Sequence, residues 1–130
     1  MKQLIAERLA VMIMMIIFSC VLVFHALVIS GVIPYGIVWA GKLKSWEEMV
    51  VFETISILLN TLMMLIVAIR GKLVRGPARA KWLTGVLWGM AILFGMNTVG
   101  NLFAENSWET IIFTPLTFIS SLLSIRLAMG

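Results

Sequence analysis

The chain has 130 residues, of which 62% are hydrophobic and only 12% charged, and its mean hydropathy is +1.08. Such a composition leaves no room for a soluble domain beside apolar segments. The formal net charge of +4 needs no nucleic-acid surface, because the cations gather at segment ends. A helix crossing the ~30 Å hydrocarbon layer needs roughly 20 apolar residues, and four stretches meet that length: Leu9–Ile33, Met49–Ile69, Trp82–Phe103 and Thr110–Ala128. They predict an all-α, polytopic membrane protein, a single integral domain of four transmembrane helices in an up-down bundle.

The first stretch is longer than the 7–15-residue apolar core of a signal peptide, and no small-residue cleavage site follows it. Ile17-Phe18-Ser19-Cys20 resembles a lipoprotein processing box only faintly, since Phe18 is bulky and the chain stays apolar beyond Cys20. As the one cysteine, Cys20 reads as a small hydrophobe. The following connection, Pro34 to Gly41, is nearly as apolar as a helix but carries Pro34, Gly36 and Gly41, which disfavour a straight continuation. It is expected in the outer interface, either as a lid or as an apolar loop.

The second stretch opens with Ser45-Trp46-Glu47-Glu48, a capping box in which Ser45 bonds orphan amides and Glu48 reaches back. Gly71 reads as its stop. Gly76-Pro77 breaks the chain again, with Pro77 placed to begin the third helix. In that helix Gly85 and Gly89 form a small-xxx-small pair, with Gly100 near the same face. The fourth opens on Asn106-Ser107-Trp108-Glu109, a close variant of the capping box. It carries a stripe of Thr110, Thr114, Thr117, Ser121 and Ser124 on one face. Small and hydroxyl residues let membrane helices approach and bond across the contact, so both patterns predict packing seams. Pro115 deprives the Ile111 carbonyl of its usual donor, which neighbouring threonines can offset. Tyr35, Trp39, Trp46, Trp82 and Trp108 fall near the expected interfaces, as an aromatic belt requires, while Trp88 lies deeper.

Lys and Arg mark the cytoplasmic side of a membrane protein. Eight lie on one side (Lys2, Arg8, Arg70, Lys72, Arg75, Arg79, Lys81, Arg126) and two on the other (Lys42, Lys44). Both termini are therefore expected in the cytoplasm, with the protein in the plasma membrane.

Polar side chains inside a bilayer are costly and turn toward the bundle interior or a wet cavity. The stretches hold His25, Glu53, Asn60, Asn97 and Asn101. At the helical rise, Glu53 lies roughly 6 Å, Asn97 roughly 9 Å, His25 roughly 12 Å and Asn60 roughly 16 Å below the outer boundary, with Asn101 shallower. Glu53, Ser56 and Asn60 share one face of the second helix, and Asn97 and Asn101 are a turn apart on the third. These five residues are the candidate ligand-binding set, surrounding a polar pocket in the outer half of the bilayer above an apolar inner half.

Three functions of different classes follow. The first is binding or transport of a small apolar or cationic ligand, with Glu53 as anionic anchor and His25, Asn97 and Asn101 orienting it. The second is a structural or accessory role in a homo-oligomer or with a partner membrane subunit, the polar groups acting as interhelical glue. The third is an intramembrane enzyme using Glu53 and His25 as an acid–base pair on a lipid-soluble substrate. No spacing motif supports catalysis, so an enzyme is the less favoured reading. One His, one distant Cys and one membrane Glu do not make a metal set, and no cofactor motif is present. Length and helix count are similar to those of the small multidrug-resistance exporters. However, the membrane carboxylate of that family lies in the first helix, where this chain has His25, and the strong Lys/Arg bias departs from dual insertion. The chain is not assigned to that family.

Overall fold

The computed structural model describes residues 4–33, 45–103 and 107–130, without the side chains of 107–110. The apolar connection with Tyr35 and Trp39, the residues Lys2, Lys42, Lys44 and Glu105, and the side chains of the second capping sequence, Trp108 and Thr110 lie outside the described residues. Four helices account for most of the rest: α1 (Glu7–Ile29), α2 (Trp46–Arg70), α3 (Lys81–Leu102) and α4 (Ser107–Met129). All four contain a segment long and apolar enough to cross a membrane. The chain is thus all-helical with four candidate spans.

The helix ends follow local chemistry, and three differ from the sequence expectation in place or in backbone geometry. α1 stops at Ile29 rather than Ile33, because Gly31 takes a left-handed φ of 89° and its N–H bonds the Val28 carbonyl. α2 begins as expected, with the Glu48 N–H donating to Ser45 Oγ at 3.1 Å. Its other end falls where the sequence places it, at Arg70 with Gly71 as the cap, but not through a left-handed glycine. Gly71 has an ordinary φ of −82°, and the left-handed residue is Lys72, at φ 61°. The Lys72 N–H bonds the Ile69 carbonyl and the Leu73 N–H bonds the Ala68 carbonyl, which is the paired pattern of a Schellman stop. Gly71 serves a different need: a Cβ there would sit 2.6 Å from a Val11 methyl. Pro77 does not begin α3 either. Its carbonyl accepts from the Ala80 N–H in a turn, and Ala80 caps a helix that starts at Lys81.

Lipid is as apolar as leucine, so membrane helices associate through close packing and hydrogen bonds rather than water exclusion. α3 and α4 make the most extensive pair, followed by α1 with α2 and α1 with α4, and α2 with α3 is the thinnest of these four neighbouring contacts. The hydroxyl stripe of α4 forms the seam with α3. Ser121 donates to the Ala91 carbonyl at 2.7 Å, and the Thr98 and Thr117 hydroxyls lie 2.9 Å apart. After Pro115, the Thr117 hydroxyl donates to the Phe113 carbonyl. The glycines of α3 do not behave as predicted: a Cβ on Gly85, Gly89 or Gly100 would meet nothing within 4 Å, whereas Gly95 is the glycine facing Ser121.

One core fills the half of the bundle nearer residues 5 and 130. It joins Ala10, Met14 and Phe18 to Val67, Leu83, Leu87, Met90, Leu123 and Leu127. Arg126 fixes this end by donating from Nε to the Ile5 carbonyl at 2.6 Å, and Arg70 by donating to Thr84 Oγ1. Arg79 pairs with Glu7 at the surface. Toward the opposite end a small cluster of Val28 and Met49 closes α1 on α2. Outward positions such as Ile16, Leu58, Ile92 and Ile111 are apolar and exposed, as a lipid-facing wall requires. Trp46 and Trp82 are half exposed near helix ends, and Trp88 also faces outward.

Candidate functional site

Between the core and the Val28–Met49 cluster the helices part. The resulting cavity of about 550 Å³ is lined by all four of them. Its apolar wall includes Phe18, Phe24, Leu59, Leu93, Phe94 and Phe113. Phe18 and Phe94 meet at its lower side with ring centroids 6.1 Å apart, and Phe24 packs edge-on against Phe113 at 5.0 Å.

His25, Asn60, Asn97 and Asn101 all line this cavity, joined by Ser56, Thr117 and Ser120. Four of the five residues singled out by sequence are therefore brought to one space. The fifth, Glu53, is placed differently: its side chain is fully buried and stands behind His25, outside the lining set. Its Oε2 lies 2.5 Å from His25 Nδ1. The imidazole, 14% exposed, is what this pair presents to the cavity, so the expected direct anionic anchor is screened by a histidine.

The helices impose this arrangement. α1 and α2 pack along their length, from Val11 beside Gly71 at one end to Val28 beside Met49 at the other. His25 and Glu53 thereby fall at matching heights. An ionised or polar pair inside an apolar shell survives only when each member satisfies the other. Ser56 lies one turn beyond Glu53 and Asn60 one turn further, carrying the polar face down α2. Asn60, which lines the cavity, donates from Nδ2 to the Ser56 carbonyl at 2.7 Å. At about 1.5 Å per residue, His25 and Asn97 lie about 6 and 8 Å inside the ends of their helices, one on each side of the space. Asn97 is exposed although it lines the cavity. Among the described residues, α2 and α3 make the thinnest of the four neighbouring helix contacts, so the seam between them is the sideways route beside Asn97.

Two features escaped the sequence. Ser120 reaches the cavity floor with 1% exposure, yet it is one position off the stripe read as a seam. The Phe24–Phe113 wall gave no signal, because phenylalanines in membrane helices ordinarily mark lipid contact. Thr117 was legible only as seam, and it serves both seam and cavity.

Four helices long and apolar enough to cross a membrane are compatible with a small multi-pass membrane protein, and the part-buried histidine on its buried carboxylate stands beside the cavity. Comparison with known protein families, with curated proteins and with solved structures finds no match.

Proposed function

We propose that this chain is a binding protein for a small, largely apolar molecule held inside the membrane. In this reading the helices form an up-down bundle in the plasma membrane with both termini cytoplasmic, so the cavity occupies the outer half of the bilayer. The single observation that carries the reading is the meeting of His25, Asn60, Asn97 and Asn101 on one cavity of about 550 Å³. Ligand sites are concave, mostly apolar and carry a few convergent polar groups, in the range of about 300–1,000 Å³. Binding is favoured over passage because the layer beneath is filled by Met14, Val67, Leu87, Met90 and Leu123, all buried. Transport would require that layer to part.

The test is native mass spectrometry of the full chain released from lipid nanodiscs. Wild-type protein is expected to retain a small molecule that Val21→Phe, which fills the cavity, does not. Glu53→Gln is expected to weaken retention while the yield of folded protein holds. Loss of folded protein in step with retention would favour the structural, accessory role. Equal spectra for wild type and Val21→Phe would remove the binding reading. The 2.5 Å contact between His25 and Glu53 also favours the acid–base enzyme as the second reading. Conversion of the retained molecule by wild type, abolished in His25→Phe, would bring that reading forward.

A further inference from the structure

The charge and hydrogen-bonding state of the cavity narrow what it can hold. Among the described residues no Asp, Glu, Lys or Arg lines it, and the carboxylate of Glu53 is buried behind His25. An ion brought into such a space loses its hydration and finds no counter-ion, a cost of several kcal/mol or more. That argues against both cations and anions.

The polar groups are also unequal. Those deeper in the cavity donate to their own helices: Asn60 to the Ser56 carbonyl, Thr117 to Phe113 and Ser120 to Leu116. His25 and Asn97, at similar height on opposite sides, differ from them. Neutral imidazole carries one N–H and one lone pair, and which nitrogen holds the proton is set by the bond the other makes. The Nδ1 contact with Glu53 Oε2 leaves Nε2 for the cavity, an acceptor when Nδ1 alone carries the proton and a donor when Nε2 is protonated. Asn97 makes no hydrogen bond within the described chain and offers both amide donors and an acceptor.

Resting on the binding reading above, we infer that the cavity selects an uncharged molecule with a hydroxyl head on an apolar body, a phenol or long-chain alcohol. Its hydroxyl bonds His25 Nε2 in the role that the ring proton leaves open and exchanges the complementary hydrogen bond with the Asn97 amide, with the body among Phe18, Leu59, Leu93 and Phe94. A hydroxyl is the smallest neutral group that does both. A ketone only accepts, so it cannot serve an Nε2 lone pair, and a hydrocarbon leaves both partners unsatisfied.

The experiment uses the full chain in nanodiscs of neutral phospholipid, with binding measured relative to protein-free nanodiscs. The probes are 4-octylphenol, octylbenzene, 4-octylacetophenone and (4-octylphenyl)trimethylammonium. The phenol is expected to bind about tenfold more tightly than the other three, as one well-formed hydrogen bond allows. His25→Phe and Asn97→Leu should each erase that preference, so that the phenol binds no more tightly than octylbenzene in the same variant. Preference for the ammonium or the ketone, or a phenol preference that survives both substitutions, overturns the inference. If octylbenzene equals the phenol in wild type, the cavity reading stands and the head-group inference falls. If no probe binds wild type above Val21→Phe and a second filled variant, Leu93→Phe, both fall together.

Discussion

A lone histidine or a lone glutamate within apolar helices is ambiguous, and their contact resolves part of that ambiguity. In the sequence the two are 28 positions apart and connected by no motif. Only their estimated depths hinted that they meet, and depth says nothing about which way a side chain turns. That is why their convergence was legible while Glu53's retreat behind the imidazole was not. The contact predicts a measurable coupling. In a double-mutant cycle with His25→Phe and Glu53→Leu, scored by reversible unfolding in bicelles, the coupling should fall near the upper end of the ~0.6–1.7 kcal/mol seen for membrane hydrogen bonds. Strict additivity would mean that the pair contributes nothing to stability.

At the scale of the helices, hydropathy located all four spans, because roughly 20 apolar residues in a row have few other uses. The ends were less legible, since they depend on single backbone conformations. Gly31 ends α1 four residues early, and Lys72 rather than Gly71 turns left-handed after α2. The glycines also show why a motif is a weaker guide than a neighbour. Gly71→Ala should destabilise by about 1–3 kcal/mol, the usual range for forced overpacking, because Val11 stands in the way. Val11→Ala should restore most of that loss. Gly85→Ala, which meets open space, should instead leave stability unchanged or raise it by up to about 1 kcal/mol through helix propensity. Thermal unfolding of the three variants in one detergent decides the matter, and equal losses at Gly71 and Gly85 would contradict the packing described.

For the molecule as a whole, the bias of Lys and Arg predicts orientation. In a Cys20→Ser background, Glu47→Cys should react with a membrane-impermeant maleimide in intact cells. Arg75→Cys should react only after permeabilisation. The reverse pattern would turn the cavity toward the cytoplasmic leaflet without altering its chemistry. Sequence reasoning placed polar groups in one half of the bundle because hydropathy is uneven along each span. The space itself depends on how far α2 stands from α3, which no single-helix pattern encodes.

The gap between α2 and α3 carries a consequence for any guest that arrives through it. Such a guest comes from dissolved stock in the acyl chains, so occupancy follows its partitioning rather than its aqueous concentration. Each methylene added to its tail contributes about 0.8 kcal/mol to that partitioning, or roughly a fourfold enrichment. A homologous series would then tighten step by step when titrated from buffer, even if the extra carbons never touched the protein. Expressed per mole of lipid, the same series would collapse onto a single curve.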